Sequence, residues 1–338
     1  MVHSIFNRFF AHARKRISLD DYIALYLSQI SSGARQTDRG SNYSAATVKS
    51  VRYSLGRFTA FQREVRREYD FRHIDMAFYY EYTAFLKRKG LSINSVGKCI
   101  RDLKVILRAA EDDGIHVSPE WKERRFKGTR IEVDSIYLTP NDLKRIRAVN
   151  CAALGPRHEL ARDIFLVGVW TAQRISDYNH IRREDIKTLL CTSASGEPEQ
   201  ITYLDIRQKK TGAKVSIPCN SDLRAILEKY SYCMPYLPDK VINRCIKEIA
   251  RAAGLTKPVE IETTKGGTPR KEWIPKWQLV HSHTARRTGA TLMYLAGVDL
   301  YDIMKITGHT TPAMLKKYIK ADSLEVVEKL AGKYDYFR

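Results

Sequence analysis

The sequence predicts a mainly α-helical protein with a small β-sheet, divided into a helical unit and a mixed α/β unit. Apolar residues recur at helical spacing through most of the first 113 residues. Periodicity then fails from Gly114 to Asp134, where Pro119, Gly128 and a dense charge run at 122–130 stand. Past Tyr137 helical spacing returns, interrupted by two strand-like segments at 200–207 and 213–218 about a tight turn at Thr211–Gly212. The expected layout is an N-terminal extension (1–17), a helical unit (18–115), a linker (116–136), a mixed unit (137–321) and a C-terminal tail (322–338).

In chain order, the first helix is expected over 18–34. The second, over 43–69, has Tyr43, Val48, Val51, Leu55, Phe58 and Phe61 mostly at helical spacing, with Ser44 as its N-cap. A third, over 75–89, turns Phe78, Tyr82, Phe85 and Leu86 inward. It ends in Lys87, Arg88 and Lys89, where cations suit the helix dipole, and Gly90 stops it. A fourth runs over 92–113, from Ile93 and Val96 through Ile100, Leu103, Ile106 and Leu107. In the mixed unit Thr139 caps a helix opened by Pro140. Helices follow at 158–170, 175–182, 220–230, 239–253, 283–296, 299–306 and 311–318. Residues 257–278, polar with Gly and Pro, read as a loop or loose hairpin. No internal repeat is visible.

The net charge is +20, and it is spread: residues 1–120 hold 20 Lys/Arg against 13 Asp/Glu, a net of +7, which leaves +13 downstream. A polyanionic partner is the simplest reading, either a nucleic acid gripped from two sides or an anionic surface. A solvated basic surface is the alternative. No run of 18 apolar residues is present, which excludes a membrane-spanning helix. The basic start MVHSIFNRFFAHARKR lacks the apolar stretch of a secretion signal. Six scattered cysteines without a CxxC pair argue against structural zinc and for a reducing cytoplasm. The absence of a GxxxxGK[ST] loop leaves no nucleoside triphosphate implied.

The chemistry sits in cations followed by one tyrosine. Arg174 is expected at a turn facing a cleft, where its planar fork suits a phosphate, with Asp177 bracing that fork from behind. Lys210 stands at the hairpin turn, a place to mount a proton donor for an alkoxide leaving group; Lys209 and Lys214 are alternatives. His283 and Arg286, at i and i+3, share a helix face. His309 follows Gly308 at a helix break, and Tyr318 lies nine residues later on an amphipathic helix with Met314 and Leu315. Arg287 points elsewhere, toward DNA backbone or an acid. Lys49, Arg52, Lys98, Arg101 and Lys104 recur on the polar faces of helices two and four, where solvation and phosphate contact are equal readings. Singly, each residue has a bland explanation; the set is what points to covalent attack on a phosphodiester.

The set resembles the tyrosine recombinases, also called phage-type integrases. Their pattern is R-x-S-[DE] in a turn, lysine in a β-hairpin, H-x-x-R on a helix, then G-H and a tyrosine nine residues on. This chain reads R-I-S-D at 174–177, KTG at 210–212, H-T-A-R at 283–286, G-H at 308–309 and Tyr318. The helical unit resembles the family's SAM-like core-binding domain, and the mixed unit its α/β catalytic domain. SHTARRTGAT and the segment around Ile303–His309 are most similar to integrases of Bacteroides-type mobile elements. The resemblance implies a cytoplasmic, nucleoid-associated bacterial enzyme that integrates and excises DNA through a 3′-phosphotyrosyl intermediate. It implies Tyr318 as nucleophile, Arg174, Arg286 and His309 at the transition state, Lys210 as general acid and His283 assisting proton transfer. It further implies double-stranded DNA as partner, no metal or nucleotide cofactor, and a homotetramer on two sites passing through a Holliday junction. Without DNA the protein would be a monomer or weak oligomer, and accessory DNA-bending or directionality proteins would assist. A type IB topoisomerase and a non-catalytic DNA-binding protein are the rival readings. Two departures stand out: T-A-Q-R where T-G-L-R is frequent before the first arginine, and Gly289 where aromatics are common, which by propensity loosens its helix by about 1 kcal/mol. About 17 residues precede the first helix, too few for the arm-binding domain of longer members.

Overall fold

The computed structural model describes residues 17–192 and 196–333; the N-terminal extension before residue 17 and the end of the tail lie outside the described residues. The chain gathers into two units. Unit 1 takes residues up to Val133 together with Glu262–Lys271, and unit 2 takes Asp134–Ile261 and the chain from Glu272 onward.

Unit 1 is built on helices α1 (Leu19–Ser32), α2 (Ala45–Val65), α3 (Met76–Arg88) and α4 (Ile93–Asp112). Each starts on a capping side chain. Ser18, Ser44, Asp75 and Ser92 accept the backbone N–H three residues on, satisfying a donor that the first turn leaves unpaired. The inward faces of α2 and α3 meet through Phe58, Phe61, Phe78 and Tyr82, with ring centroids 5.2–6.0 Å apart. Much of the expected linker is docked on this unit. Trp121 and Phe126 are buried in the core, and Asn94 exchanges two hydrogen bonds with the backbone of Ile131. The charge run at 122–130 masked those two aromatic anchors.

Unit 2 centres on α6 (His158–Thr171), which is apolar nearly all round and correspondingly buried. Against it pack α9 (Asp239–Ala252) and α11 (Ser282–Leu295). Before it comes α5 (Pro140–Arg147), opened by the Thr139 cap and Pro140 as the sequence requires. After it come the short α7 (Ile175–Tyr178), the sheet, and α8 (Ser221–Lys229). The sheet is antiparallel in order β1 (Ile186–Thr192), β2 (Pro198–Arg207), β3 (Lys214–Pro218), with Ile186 opposite Leu204 and Arg207 opposite Lys214. Strand β1 was not expected, because its side chains are mostly exposed and carry no alternation. Residues 257–278 are an ordered hairpin, β4 (Pro258–Lys265) and β5 (Thr268–Pro275), followed by one helical turn, α10 (Lys276–Leu279). The chain closes with α12 (Leu300–Thr307), α13 (Pro312–Lys316) and α14 (Ser323–Lys333). Helix α14 lies on its own unit: Tyr137 donates to Glu325, and Lys329 Nζ sits 3.5 Å from the Tyr294 ring centroid.

Candidate active site

The end of α6 makes the first half of the site. Ala172 takes a left-handed φ of 52°, Gln173 is buried, and Arg174 is extended as the residue before α7. The reversal brings Arg174 Nη1 to 2.9 Å from Gln208 Oε1 at the end of β2. Asp177 does not hold the arginine fork, contrary to expectation. It is buried, and its Oδ1 accepts the Lys209 backbone N–H at 2.9 Å, so it fixes the hairpin instead. The hairpin closes through Gly212 N–H to Gln208 O and Gln208 N–H to Ala213 O, both 2.8 Å. Lys210 stands exposed on this turn, with no partner for its ammonium among the described residues.

Helix α11 supplies the other half. One face carries His283 to the mouth of the site and Arg286 to its floor, where the guanidinium is fully buried. Arg286 donates to Ala172 O at 3.0 Å, to Thr307 O at 2.8 Å and to His309 Nε2 at 3.0 Å, while its Nε–H finds no acceptor. No carboxylate among the described residues pairs with it directly. Desolvation, then the nearby Arg174 cation, lower its pKa, against Tyr318 and Asp177 which raise it. Such close approach of α11 to α6 needs Gly289. A Cβ there would lie 2.2 Å from Val169 O and 2.9 Å from Ala172 Cβ. The expected loose spot is therefore a packing requirement.

Gly308, at φ 69°, ends α12 and turns His309 into the site. Its neighbours fix the tautomer. Thr307 Oγ1 donates to Ile303 O at 2.6 Å, so it accepts from His309 Nδ1–H at 2.8 Å, which leaves Nε2 as the acceptor of Arg286. Burial, then Arg286 and Arg174, push the His309 pKa down to about 3, so the ring is neutral at pH 7. His283 is also held below its ordinary value by desolvation and by Arg287, Arg286, Arg174 and Lys210. Tyr318 lies just past α13, not on a helix as expected. Its ring packs tilted against His309 at 4.7 Å between centroids, and the Arg286 guanidinium carbon lies 5.2 Å from its centre. All six expected catalytic residues belong to unit 2, and five of them lie close enough to interact through hydrogen bonds, ring contacts or charge, with Lys210 reaching the group through its charge on His283.

Residues 137–325 match the family model described as the phage integrase family, and residues 26–126 match the phage integrase SAM-like domain. The chain belongs to the phage integrase family. The fold is shared with a lambda integrase (residues 75–356) dimer bound to a COC′ core site, at TM-score 0.63 and 16% identity over 88% of this chain and 97% of that one. It is also shared with the Tn1549 transposon integrase in complex with circular intermediate DNA (TM-score 0.57, 16% identity, 92% and 98% covered). XerH recombinase bound to palindromic difH substrate is a third case (TM-score 0.59, 14% identity, 90% and 84% covered). No curated protein matches by sequence. As a family member the chain is a site-specific tyrosine recombinase.

The expected DNA-contacting residues of this integrase divide in two. Lys49 and Arg52 are exposed on α2. The three on α4 have internal partners: Lys98 pairs with Asp102 at 2.5 Å, Arg101 donates to Gly128 O at 2.7 Å, and Lys104 donates to Phe126 O at 2.8 Å. Arg101 and Lys104 hold the docked segment, while Lys98 is spent within its own helix. Arg287 is half-buried, with Nη1 3.5 Å from His281 Nε2. Sequence reasoning overlooked Gln208 and Gln173, buried amides beneath the site. Gln173 was visible only as part of the T-A-Q-R departure. Elsewhere, His158, Cys245 and Glu248 each place one possible ligand atom within 4.8 Å of the others. His158 Nε2 already meets Glu248 at 2.5 Å, and Arg244 flanks that carboxylate at 4.0 Å. The His158–Glu248 contact thus joins α6 to α9.

Proposed function

We propose that Tyr318 attacks a DNA phosphodiester held by Arg174 and Arg286, forming a 3′-phosphotyrosyl bond and releasing a 5′-hydroxyl. The observation that carries this reading is Arg286. A fully buried cation without an acid is costly, and carbonyl dipoles offset only part of that cost. A second guanidinium beside it adds repulsion. A site of this kind is complementary to an anion, and a phosphate whose charge grows toward the transition state answers it best. The Tyr318 ring lies against that same guanidinium, which places the nucleophile beside the anion it would attack.

The remaining roles follow from protonation state and exposure. His283, neutral at the mouth, takes the phenolic proton. Neutral His309 orients Arg286 through Nε2, a different task from donating to the phosphate directly. Lys210 delivers a proton to the leaving 5′-oxygen from the hairpin turn. The 5′-hydroxyl of a second strand then attacks the phosphotyrosine, and Tyr318 leaves with its proton restored. The charge that this chemistry needs comes from side chains. Double-stranded DNA is the substrate, with four protomers acting on two sites through a Holliday junction; a lambda integrase tetramer bound to such a junction shares the fold, at TM-score 0.61 and 17% identity. The SHTARRTGAT run supports a mobile element of Bacteroides type; accessory proteins setting direction and action at the nucleoid belong to the same proposal. The test is a nicked core-site duplex incubated with the full chain and run on a denaturing gel. Wild type forms a covalent adduct and Tyr318→Phe binds equally but forms none. Adduct at wild-type yield in that variant would overturn the assignment.

A further inference from the structure

We propose that Gln208 is a positioning residue for strand cleavage: its amide, braced by Gln173, sets Arg174 and the Lys210 hairpin against the Gly308–His309 turn. The proposal rests on the site reading above. Gln208 is buried, and its side chain uses all its hydrogen-bonding capacity. Oε1 accepts from Arg174 Nη1 at 2.9 Å and from Thr211 Oγ1 at 2.7 Å. Nε2 donates to Gln173 Oε1 at 2.6 Å and to Thr307 O at 2.8 Å. Two of these partners have fixed polarity. Arginine cannot accept and a backbone carbonyl cannot donate, so the amide has one permitted orientation.

Gln173 continues the chain of donors. Its Nε2 donates to Thr171 O at 3.0 Å and to Ile306 O at 2.7 Å, which commits its Oε1 to Gln208. Thr307 O is shared, accepting from both Gln208 and Arg286. One amide thus joins four parts: the turn bearing Arg174, the hairpin bearing Lys210, the turn bearing His309, and Arg286 through a common carbonyl. A Cβ on Gly308 would sit 2.6 Å from the Gln208 amide, so the glycine also makes room for this junction. A fully satisfied buried network is rigid, and removing one member leaves the others unpaired. Without Gln208, Arg174 loses the one side-chain acceptor it has among the described residues, and the hairpin keeps its backbone pairing and the Asp177 anchor on Lys209 N–H but not its tie to Arg174 and the His309 turn.

The experiment uses the full chain and a nicked duplex with either a normal 5′-oxygen or a 5′-bridging thiolate, which leaves without a proton. Wild type and Tyr318→Phe serve as controls; absence of adduct in the first, or its persistence in the second, would fault the site reading and not Gln208. Gln208→Met keeps the volume and deletes the amide. It is expected to bind DNA within about threefold of wild type and to cleave the normal strand on the order of 10²-fold more slowly, the effect of a misplacement near 1 Å. The thiolate should restore at least about tenfold of that loss, because the Lys210 proton is then unnecessary. Gln173→Met should cost less, and the double variant no more than Gln208→Met alone, since both act through one network. Equal loss on both substrates, unchanged cleavage, or losses that multiply in the double variant would each overturn the proposal. Should Gln208→Met fail to fold, Thr211→Val removes one exposed donor to Oε1. Several-fold slower cleavage with thiolate rescue is expected of it, and wild-type rates in that variant would overturn the proposal.

Discussion

Gly289→Ala separates helix propensity from packing, because the two forecast opposite signs. In an isolated helix alanine is better than glycine by about 1 kcal/mol. Here the new methyl would start 2.2 Å from Val169 O and 2.9 Å from Ala172 Cβ. Ordinary contact begins at 3.4 Å, so α11 and α6 would have to open by about 1.2 Å, the difference between 3.4 and 2.2. Overpacking typically costs about 1–3 kcal/mol, and backbone and a buried residue on the far side leave little to yield. A net destabilisation of about 2 kcal/mol is expected after the propensity gain, or a fall in Tm of about 4–8 °C for a unit this size. The opening also carries Arg286, one turn before Gly289, away from Ala172 O, its 3.0 Å acceptor. Cleavage should slow on the order of 10²-fold, as expected for a displacement near 1 Å. Thermal unfolding and single-turnover adduct formation measure the two effects on one preparation. A raised Tm with unchanged adduct rate would refute the packing argument and leave propensity in charge.

Lys210→Ala should slow cleavage of a normal phosphodiester by about 10²–10⁴-fold, with most of the loss recovered on a 5′-bridging thiolate; equal defects on both would move the general acid to Lys209 or Lys214. The folded His309 pKa of about 3 lies below the unfolded value, so the unfolded chain takes up the proton first as pH falls. Its contribution is fully present above about pH 6.5 and is lost below it, at about 1.4 kcal/mol per pH unit. His309→Asn should therefore show a shallower loss of stability between pH 6.5 and 4 in denaturant titrations, and an unchanged slope would contradict the burial argument. Lys49→Ala and Arg52→Ala should weaken DNA binding and each lower the salt slope by about 0.9. Lys104→Ala should instead lower the stability of unit 1 by about 1–2 kcal/mol through loss of the Phe126 O bond and the contacts with Trp121 and Phe126, read by unfolding and not by affinity.

The helices were legible because their caps and apolar stripes are local signals: Ser44, Thr139 and Pro140 act where they were expected. The six candidate catalytic residues were legible as a pattern of residue types. What escaped was decided by partners distant in sequence. Asp177 lies three residues from Arg174, yet its partner is the Lys209 N–H, 32 positions on. Arg101 and Lys104 left solvation and phosphate contact as equal readings because their acceptors at 126–129 stand in a stretch without periodicity. Strand β1 has no buried face to print an alternation. Gln208 and Gln173 were invisible for a plainer reason: an amide carries no chemistry of its own, and only the direction of its four hydrogen bonds gives it a role.

The choice of carbonyls over a carboxylate around Arg286 shows how stability and function trade here. An acid beside this guanidinium would relieve its burial, and it would also neutralise the charge that a phosphate needs. Ala172 O and Thr307 O are dipoles, so they orient the cation without cancelling it. Hydrogen bonds to a charged group contribute about 1.5–3 kcal/mol each, against a burial penalty of several kcal/mol, so the unliganded site sits near balance with an N–H still unused. Neutral His309 fits the same logic. Protonated, it would add a third positive charge beside Arg174 and Arg286; neutral, its Nε2 accepts from Arg286 and its Nδ1–H is spent on Thr307. The site is thus built short of one negative charge: Asp177 fixes the hairpin backbone, while neutral carbonyls, the Gln208 amide and His309 hold the two arginines.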